Sequence, residues 1–386
     1  MAKGYMFKNQ FREFTDELTG RKIIQLTGDD CLSHHPYFYN KMMTNDSKFL
    51  IYASDCSGTR NLYKLNMETG EVLQLTDNYA PFGDFSPSLS NDDKYLYYTK
   101  DNQIVKLDMD TLKEYGIYAA EEGYNFTSFG ISDDGKCILV SEMDKKDLVK
   151  NKGDWSTFEP QWEAKPHCRL IYIDIETNKW HVVLDEPHCW LGHPQIRPGN
   201  NNELLFCHEG PQWRIDARLW LINSDGTNHR CAKERKAEDM IVTHEYWLGD
   251  GSKIACVHKN YDNVASIRYI DPYTLKEEIF MECTYSAHLF SNSDNTYIVG
   301  DGQPSTPVLP ETMENKVEKM THTEPCLFLI DVKNKKEERL CWHGSSFTPY
   351  GNAQDCHPHP AFTPDSKAVI FSSDMRGKPA IYKVII

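Results

Sequence analysis

Two stretches near opposite ends of this chain are copies of each other, and that restricts the fold more than any other feature. DSKFLIYASDCSGTRNLYKL, from Asp46 to Leu65, aligns without a gap on DSKAVIFSSDMRGKPAIYKV, from Asp365 to Val384. They share the Asp-Ser-Lys turn, the pairs Ser54/Asp55 and Ser373/Asp374, Gly58 and Gly377, and the Tyr-Lys pairs at 63/64 and 382/383. Looser copies lie between them, among them NDDKYLYYTKDNQIVKLD, GDGSKIACVHK with SIRYIDPYTLKEEIF, and SDNTYIVGD with CLFLIDVKNKKEERL, which makes seven units. Each unit reads as a turn, an apolar strand, a loop, a second strand ending in Asp or Asn, and a turn into a third strand. Short strands recurring in units of about 40 to 50 residues indicate blades of a β-propeller, four antiparallel strands to a blade.

The last unit stops after its third strand, whereas an unattached strand-like stretch, KIIQLTG at 22–28, precedes the first unit and matches VLQLTD at 72–77. The expected fold is therefore all-β: one seven-bladed β-propeller domain over residues 1–386, its last blade closed by the N-terminal strand. Closure removes the sheet edge that an open ring would expose.

Composition narrows the function. With 40% hydrophobic and 26% charged residues the chain carries enough apolar surface for a core, so wholesale disorder is excluded. A net charge of −15 argues against nucleic acid as a partner, because a phosphate backbone needs a basic face. No stretch approaches the roughly 20 apolar residues of a membrane span, and the N-terminus lacks a signal-peptide core, so a cytoplasmic location is expected. The 12 cysteines stand as singles without a C-x-x-C pair and read as reduced thiols.

Aligning the units on their turn Asp puts one position at the start of each innermost strand: His35, Ser86, Ser128, His193, His244, His288 and His359. Five of these seven are His in a chain with 15 His among 386 residues, a concentration that points to a ring of imidazoles at one mouth of the central channel. A blander cause is that His-Pro suits the step from loop to strand. His357 precedes His359 by two residues and so points to the same side of an extended chain, with Gln354 in the loop before them. With His288 they make three imidazoles and an amide carbonyl around one point. That set suits a divalent transition ion such as Mn, Fe or Zn. Insertions at 143–167 and 301–325 fall between the second and third strands of their blades and are expected to overhang this ring, although each could equally brace neighbouring blades or form a dimer contact. Trp155, Trp162, Trp190 and Trp213 could stack sugar rings, but packing is the commoner use of Trp in a propeller.

A metal-centred pocket with a further His and an Arg suits proton abstraction beside a carboxylate. His244 is the candidate base and Arg218, in DARLW, the candidate carboxylate clamp. His35, His193 and His208 are further candidates for substrate contact.

With these segments on the page, the sequence resembles the oligogalacturonate lyase family. The resemblance runs over essentially the whole chain and is carried by LSHHPYF (32–38), GHPQ (192–195), FCHEGP (206–211), RLW (218–220), THEYW (243–247), AHLFSN (287–292) and QDCHPHPAF. It implies a cytoplasmic seven-bladed propeller that cleaves short galacturonide oligomers, digalacturonate and its 4,5-unsaturated form, by β-elimination to 5-dehydro-4-deoxy-D-glucuronate. It also implies a manganese-type ion held by His288, Gln354, His357 and His359, with His244 as Brønsted base and Arg218 assisting. Two other function classes compete. A non-catalytic TolB-like binding propeller has no need of the clustered Gln354, His357 and His359. A glycoside hydrolase would need a carboxylate pair, for which Glu209, Glu245 and Asp355 are the candidates.

Overall fold

The computed structural model describes residues 2–77, 87–150, 152, 154–302, 325–352 and 354–386. Its strands form seven antiparallel sheets in meander order, the blades of a seven-bladed β-propeller. The innermost strands, in blade order, are Ser33–His34, Ser88–Leu89, Tyr124–Ile131, Leu191–Arg197, Asp239–Trp247, Ser286–Ser291 and Ala361–Phe362. Of the seven aligned positions, Ser86 lies outside the described residues, as does nearly all of the 301–325 insertion. Contacts divide the chain into two compact units. One comprises 1–97, 107–114 and 284–386; the other comprises 98–106 and 115–283.

The repeat seen in the sequence is a repeat of turns. Between the first and second strands a hydroxyl donates to the Asp two residues on: Thr44 to Asp46 at 2.6 Å, and Ser90 to Asp92, Ser132 to Asp134 and Thr363 to Asp365 at 2.7 Å each. Between the third and fourth strands an Asp accepts from the backbone amide three residues on, at 2.8 Å for Asp108 and Thr111 and at 2.7 Å for Asp174 and Thr177 and for Asp271 and Thr274. The residue after each Thr is left-handed, with φ of +57° at Leu112, +53° at Asn178 and +57° at Leu275. An Asp side chain that imitates a backbone turn sets the chain reversal locally, so each unit carries its own punctuation.

Blade seven closes as the sequence predicts. Lys22–Gln25 pairs antiparallel with Ala380–Ile385, in the register Ile23↔Val384, Ile24↔Lys383 and Gln25↔Tyr382. The Thr27 hydroxyl then accepts from the Ile381 amide at 2.9 Å. Two strands are additional to that expectation. Arg12–Thr15 pairs with Lys22–Gln25 as a fifth strand of blade seven, and Met6–Lys8 pairs with Glu71–Gln74 as a fifth strand of blade one. Both are short and largely exposed, which suits edge strands.

Ile23 is fully buried among Val299, Leu329, Phe371 and Val384, which joins the closing strand to the core of blade seven. Ile23→Ala is expected to destabilise the fold by about 2 to 5 kcal/mol. Its thermal denaturation midpoint should fall clearly below wild type, and an unchanged midpoint would show that the closing strand contributes little.

Candidate active site

The innermost strands do not run straight into the aligned positions. Pairing with the second strand slips between Gly192 and Gln195, between Thr243 and Tyr246, and between Ser286 and Leu289, so His193, His244 and His288 each sit in a β-bulge. His193, His244 and His359 are left-handed, with φ of +49°, +50° and +45°. A left-handed non-glycine residue costs roughly 1 to 2 kcal/mol, and a following proline, present after His193 and His359, further disfavours departure from extended backbone. So the dipeptide is not there to ease the step from loop to strand. A bulge redirects one side chain out of the alternation of the sheet, and here the redirected side chain is the imidazole.

In the first unit, His288, His357 and His359 are buried, and one ring nitrogen of each lies within 4.8 Å of the others. The His288 and His359 rings are 4.2 Å apart between centroids, those of His288 and His357 5.3 Å. Aromatic rings surround them: Phe347 is 4.5 Å from His357, Tyr37 5.0 Å from His359 and Phe38 5.6 Å from His288. Burial, with the His288 imidazole beside it, pushes His357 well below the ordinary histidine range, which keeps it neutral and able to donate a lone pair. Gln354 joins through a turn in which its carbonyl accepts from the His357 amide at 3.0 Å, and its side-chain Oε1 is buried without a hydrogen-bond partner among the described residues. Three imidazoles and an orphaned amide oxygen, without thiolate or carboxylate, fit a divalent transition ion.

The neighbours of these residues are occupied otherwise. The Cys356 thiol, pushed up to about 12 by burial and Asp374, bonds to the Thr348 carbonyl at 2.9 Å. Asp355 accepts from the Asn352 amide at 2.8 Å and faces Arg60 at 3.5 Å. His35 is fully buried, with its ring nitrogens 2.7 Å from the Pro36 carbonyl and 3.2 Å from the Pro358 carbonyl. The substrate contact expected of His35 has no exposed atom to act through. The ring instead packs between the Pro36 and Pro358 carbonyls, to one of which its single N–H can donate.

In the second unit, Arg218 is clasped by two carboxylates. Its Nε donates to Glu245 at 2.8 Å and its Nη2 to Glu209 at 2.9 Å, and the His193 ring nitrogens lie 3.3 Å from Glu209 and 3.2 Å from Glu245. Burial opposes ionisation of both carboxyls, but Arg218 and His193 outweigh it and hold them below the ordinary range. His193, Cys207 and Glu245 also offer ligand atoms within 4.8 Å of one another. The Cys207 thiol is pushed well above its usual range by burial, however, and a guanidinium already fills the role of cation. That cluster is an ion-pair network.

His244 precedes Glu245 in the same bulge and is half-buried, its ring 6.2 Å from that of His193. Gln195 pins the bulge from the neighbouring blade: its Nε2 donates to the Glu245 carbonyl at 2.8 Å, and its Oε1 accepts from the Trp247 amide at 3.4 Å. His208 stands apart, stacked on Trp220 at 4.6 Å and pushed down to about 4 by burial and by His229.

The 143–167 insertion braces this region. It carries a short helix, Phe158–Glu163, and the Trp162 indole rests on Gly210, where an added Cβ would meet its ring at 2.2 Å. Gly210, at φ +145°, follows Glu209, so the brace bears on the loop that holds Arg218. Trp155 and Trp190 pack on Phe158 at 6.0 and 5.2 Å.

A family model for oligogalacturonate lyases matches residues 1–386. An oligogalacturonide lyase from Pectobacterium atrosepticum is 37% identical over 99% of this chain and 97% of its own length. Among solved structures, an oligogalacturonate lyase in complex with manganese is similar at a TM-score of 0.91 and 34% identity, covering 100% of this chain and 98% of that one. A second, from Vibrio parahaemolyticus, is similar at a TM-score of 0.90 and 35% identity, covering 100% and 99%.

Removing the guanidinium would leave Glu209 and Glu245 buried without their cation. Arg218→Ala is expected to cost about 3 to 5 kcal/mol of stability, read as a lowered thermal midpoint, and Arg218→Ala/Glu245→Gln should recover part of it. A midpoint unchanged in Arg218→Ala would show that the clasp contributes nothing to the fold.

Proposed function

Because the chain belongs to the oligogalacturonate lyase family, we propose that it cleaves digalacturonate and 4,5-unsaturated digalacturonate by metal-assisted β-elimination. The observation that carries this reading is the buried set of His288, His357 and His359, completed by the orphaned Gln354 oxygen. These four residues would hold a divalent ion such as Mn²⁺, the metal in complex with a solved relative. When bound, that ion would neutralise a sugar carboxylate and stabilise the negative charge that develops beside it.

The chain's own residues do the rest. Arg218 spends Nε and Nη2 on its two carboxylates and offers the remaining Nη1 to the uronate. Their hold fixes the guanidinium plane before substrate arrives, which is the preorganisation that electrostatic catalysis needs. His244, half-buried on its pinned bulge, accepts the C5 proton. The electrons of the broken C5–H bond form the 4,5 double bond and the C4–O bond breaks, its oxygen taking a proton. The products are a shortened oligomer and an unsaturated uronate that rearranges to 5-dehydro-4-deoxy-D-glucuronate.

Two of the three carboxylates a hydrolase could use are unsuited to act as its acid. A glycosidase needs one carboxyl raised in pKa so that it is protonated at neutral pH, whereas Glu209 and Glu245 are both held low. His208, pushed down to about 4, is no better donor. Among the described residues no helix is long and apolar enough to cross a membrane; the 12 free cysteines suit the reducing cytoplasm in which we place the enzyme.

Purified protein is expected to form the keto sugar acid from digalacturonate, to stop after chelation and to recover with Mn²⁺. His244→Ala should lower kcat by about 10²- to 10⁴-fold while the ion stays bound, and His357→Ala should lose both ion and activity. New reducing ends without any eliminated product would hand the site to a hydrolase.

A further inference from the structure

We infer that Asp301 is a positioning residue for the ion, fixing which nitrogen of His288 faces the centre; this rests on the metal-site reading above. Asp301 is fully buried on the second strand of blade six, Tyr297–Gly302, beside the bulge that carries His288. Its two oxygens do separate tasks. Oδ1 accepts from the His288 backbone amide at 2.6 Å, and Oδ2 lies 2.6 Å from the His288 Nδ1.

The first bond holds the backbone of the bulge, where the ladder cannot: strand pairing is interrupted between Ser286 and Leu289. The second bond selects the tautomer. A carboxylate accepts and cannot donate, so Nδ1 must carry a hydrogen, and in the neutral ring Nε2 then keeps its lone pair. His288 then offers a ligand from its far nitrogen, with the ring plane set by a short bond to a group that cannot itself move. A carboxylate bonded to the outer nitrogen of a ligating imidazole also raises the basicity of the inner one, and loss of such a partner typically weakens metal binding about 10- to 100-fold.

Phe38, Tyr37 and the other two imidazoles approach His288 as rings. The adjoining Gly300 has the same origin: a Cβ there would lie 2.4 Å from the Ser286 hydroxyl, so glycine lets the second strand come close enough for Asp301 to reach the bulge.

Asp301→Asn preserves the shape and removes one of the two acceptor functions, because a carboxamide presents one oxygen and one donor. Titration with Mn²⁺ alone, followed by calorimetry and by the electron paramagnetic resonance signal of the free ion, should give one ion per chain in both proteins. The Asp301→Asn affinity should be about 10- to 100-fold weaker. An affinity within twofold of wild type in a folded Asp301→Asn would overturn the inference and leave the metal site standing. Failure of the wild type to bind Mn²⁺ would remove the metal-site reading, and the inference with it.

Should Asp301→Asn not fold, the tautomer of His288 in the wild type decides, with His288→Gln used only to assign its resonance. In ion-free, ¹⁵N-histidine-labelled protein, the resonance that disappears in His288→Gln should report hydrogen on Nδ1 and none on Nε2. The opposite tautomer would overturn the inference.

Discussion

The pairing of Ile23, Ile24 and Gln25 with Val384, Lys383 and Tyr382 is the constraint on which the rest of the structure depends. It joins two segments from opposite ends of the sequence into one sheet, and the innermost strand of that sheet, Ala361–Phe362, follows directly on the His357-Pro358-His359 run. Without the closing strand, Ala380–Ile385 would present an unpaired edge, and the segment bearing His357 and His359 would hang from an incomplete blade. The imidazole cluster therefore draws its rigidity from a contact made on the far side of the same sheet.

Within this frame the bulge is what converts a structural repeat into chemistry. A straight inner strand would commit each side chain to one face of its sheet. Breaking the ladder at His193, His244 and His288 releases one residue per blade from that alternation. Each break needs a substitute for the lost backbone bonds, and the blades supply different ones: the Gln195 amide across the His244 bulge and the Asp301 carboxylate under His288. Strain of this kind persists only where its surroundings over-determine it. The clasp of Glu209 and Glu245 on Arg218 extends the same logic to a side chain, since its geometry is set by the protein before any ligand binds.

How much of this could be read from the sequence follows from which interactions are local. The Asp and Thr turns are encoded within four residues, so the blades, their number and the histidine positions were legible by alignment alone. His357 and His359 were paired by their spacing of two residues, although His359 proves left-handed rather than extended. Asp301, Gln195 and the partners of Arg218 were not legible, because each acts across strands or blades and carries no spacing that marks it. Met6–Lys8 and Arg12–Thr15 were missed because strands so short and exposed show no hydrophobic alternation. His208 held an unused clue: strand parity sets it opposite Cys207, and it is Cys207 that lies beside Glu209 and Glu245.

Thr27 and Ile381, which bond across the closing pair, lie 354 positions apart. During translation the strand at Lys22–Gln25 emerges before Ala380–Ile385 and waits unpaired while the segments between them are made. The sheet that carries His357 and His359 is thus finished only after Ala380–Ile385 has been made, and a polypeptide cut short before Ala380 would carry both histidines without the frame that holds them. The imidazole cluster accordingly takes its final shape only after the blades lying between the two halves of the closing pair have been made.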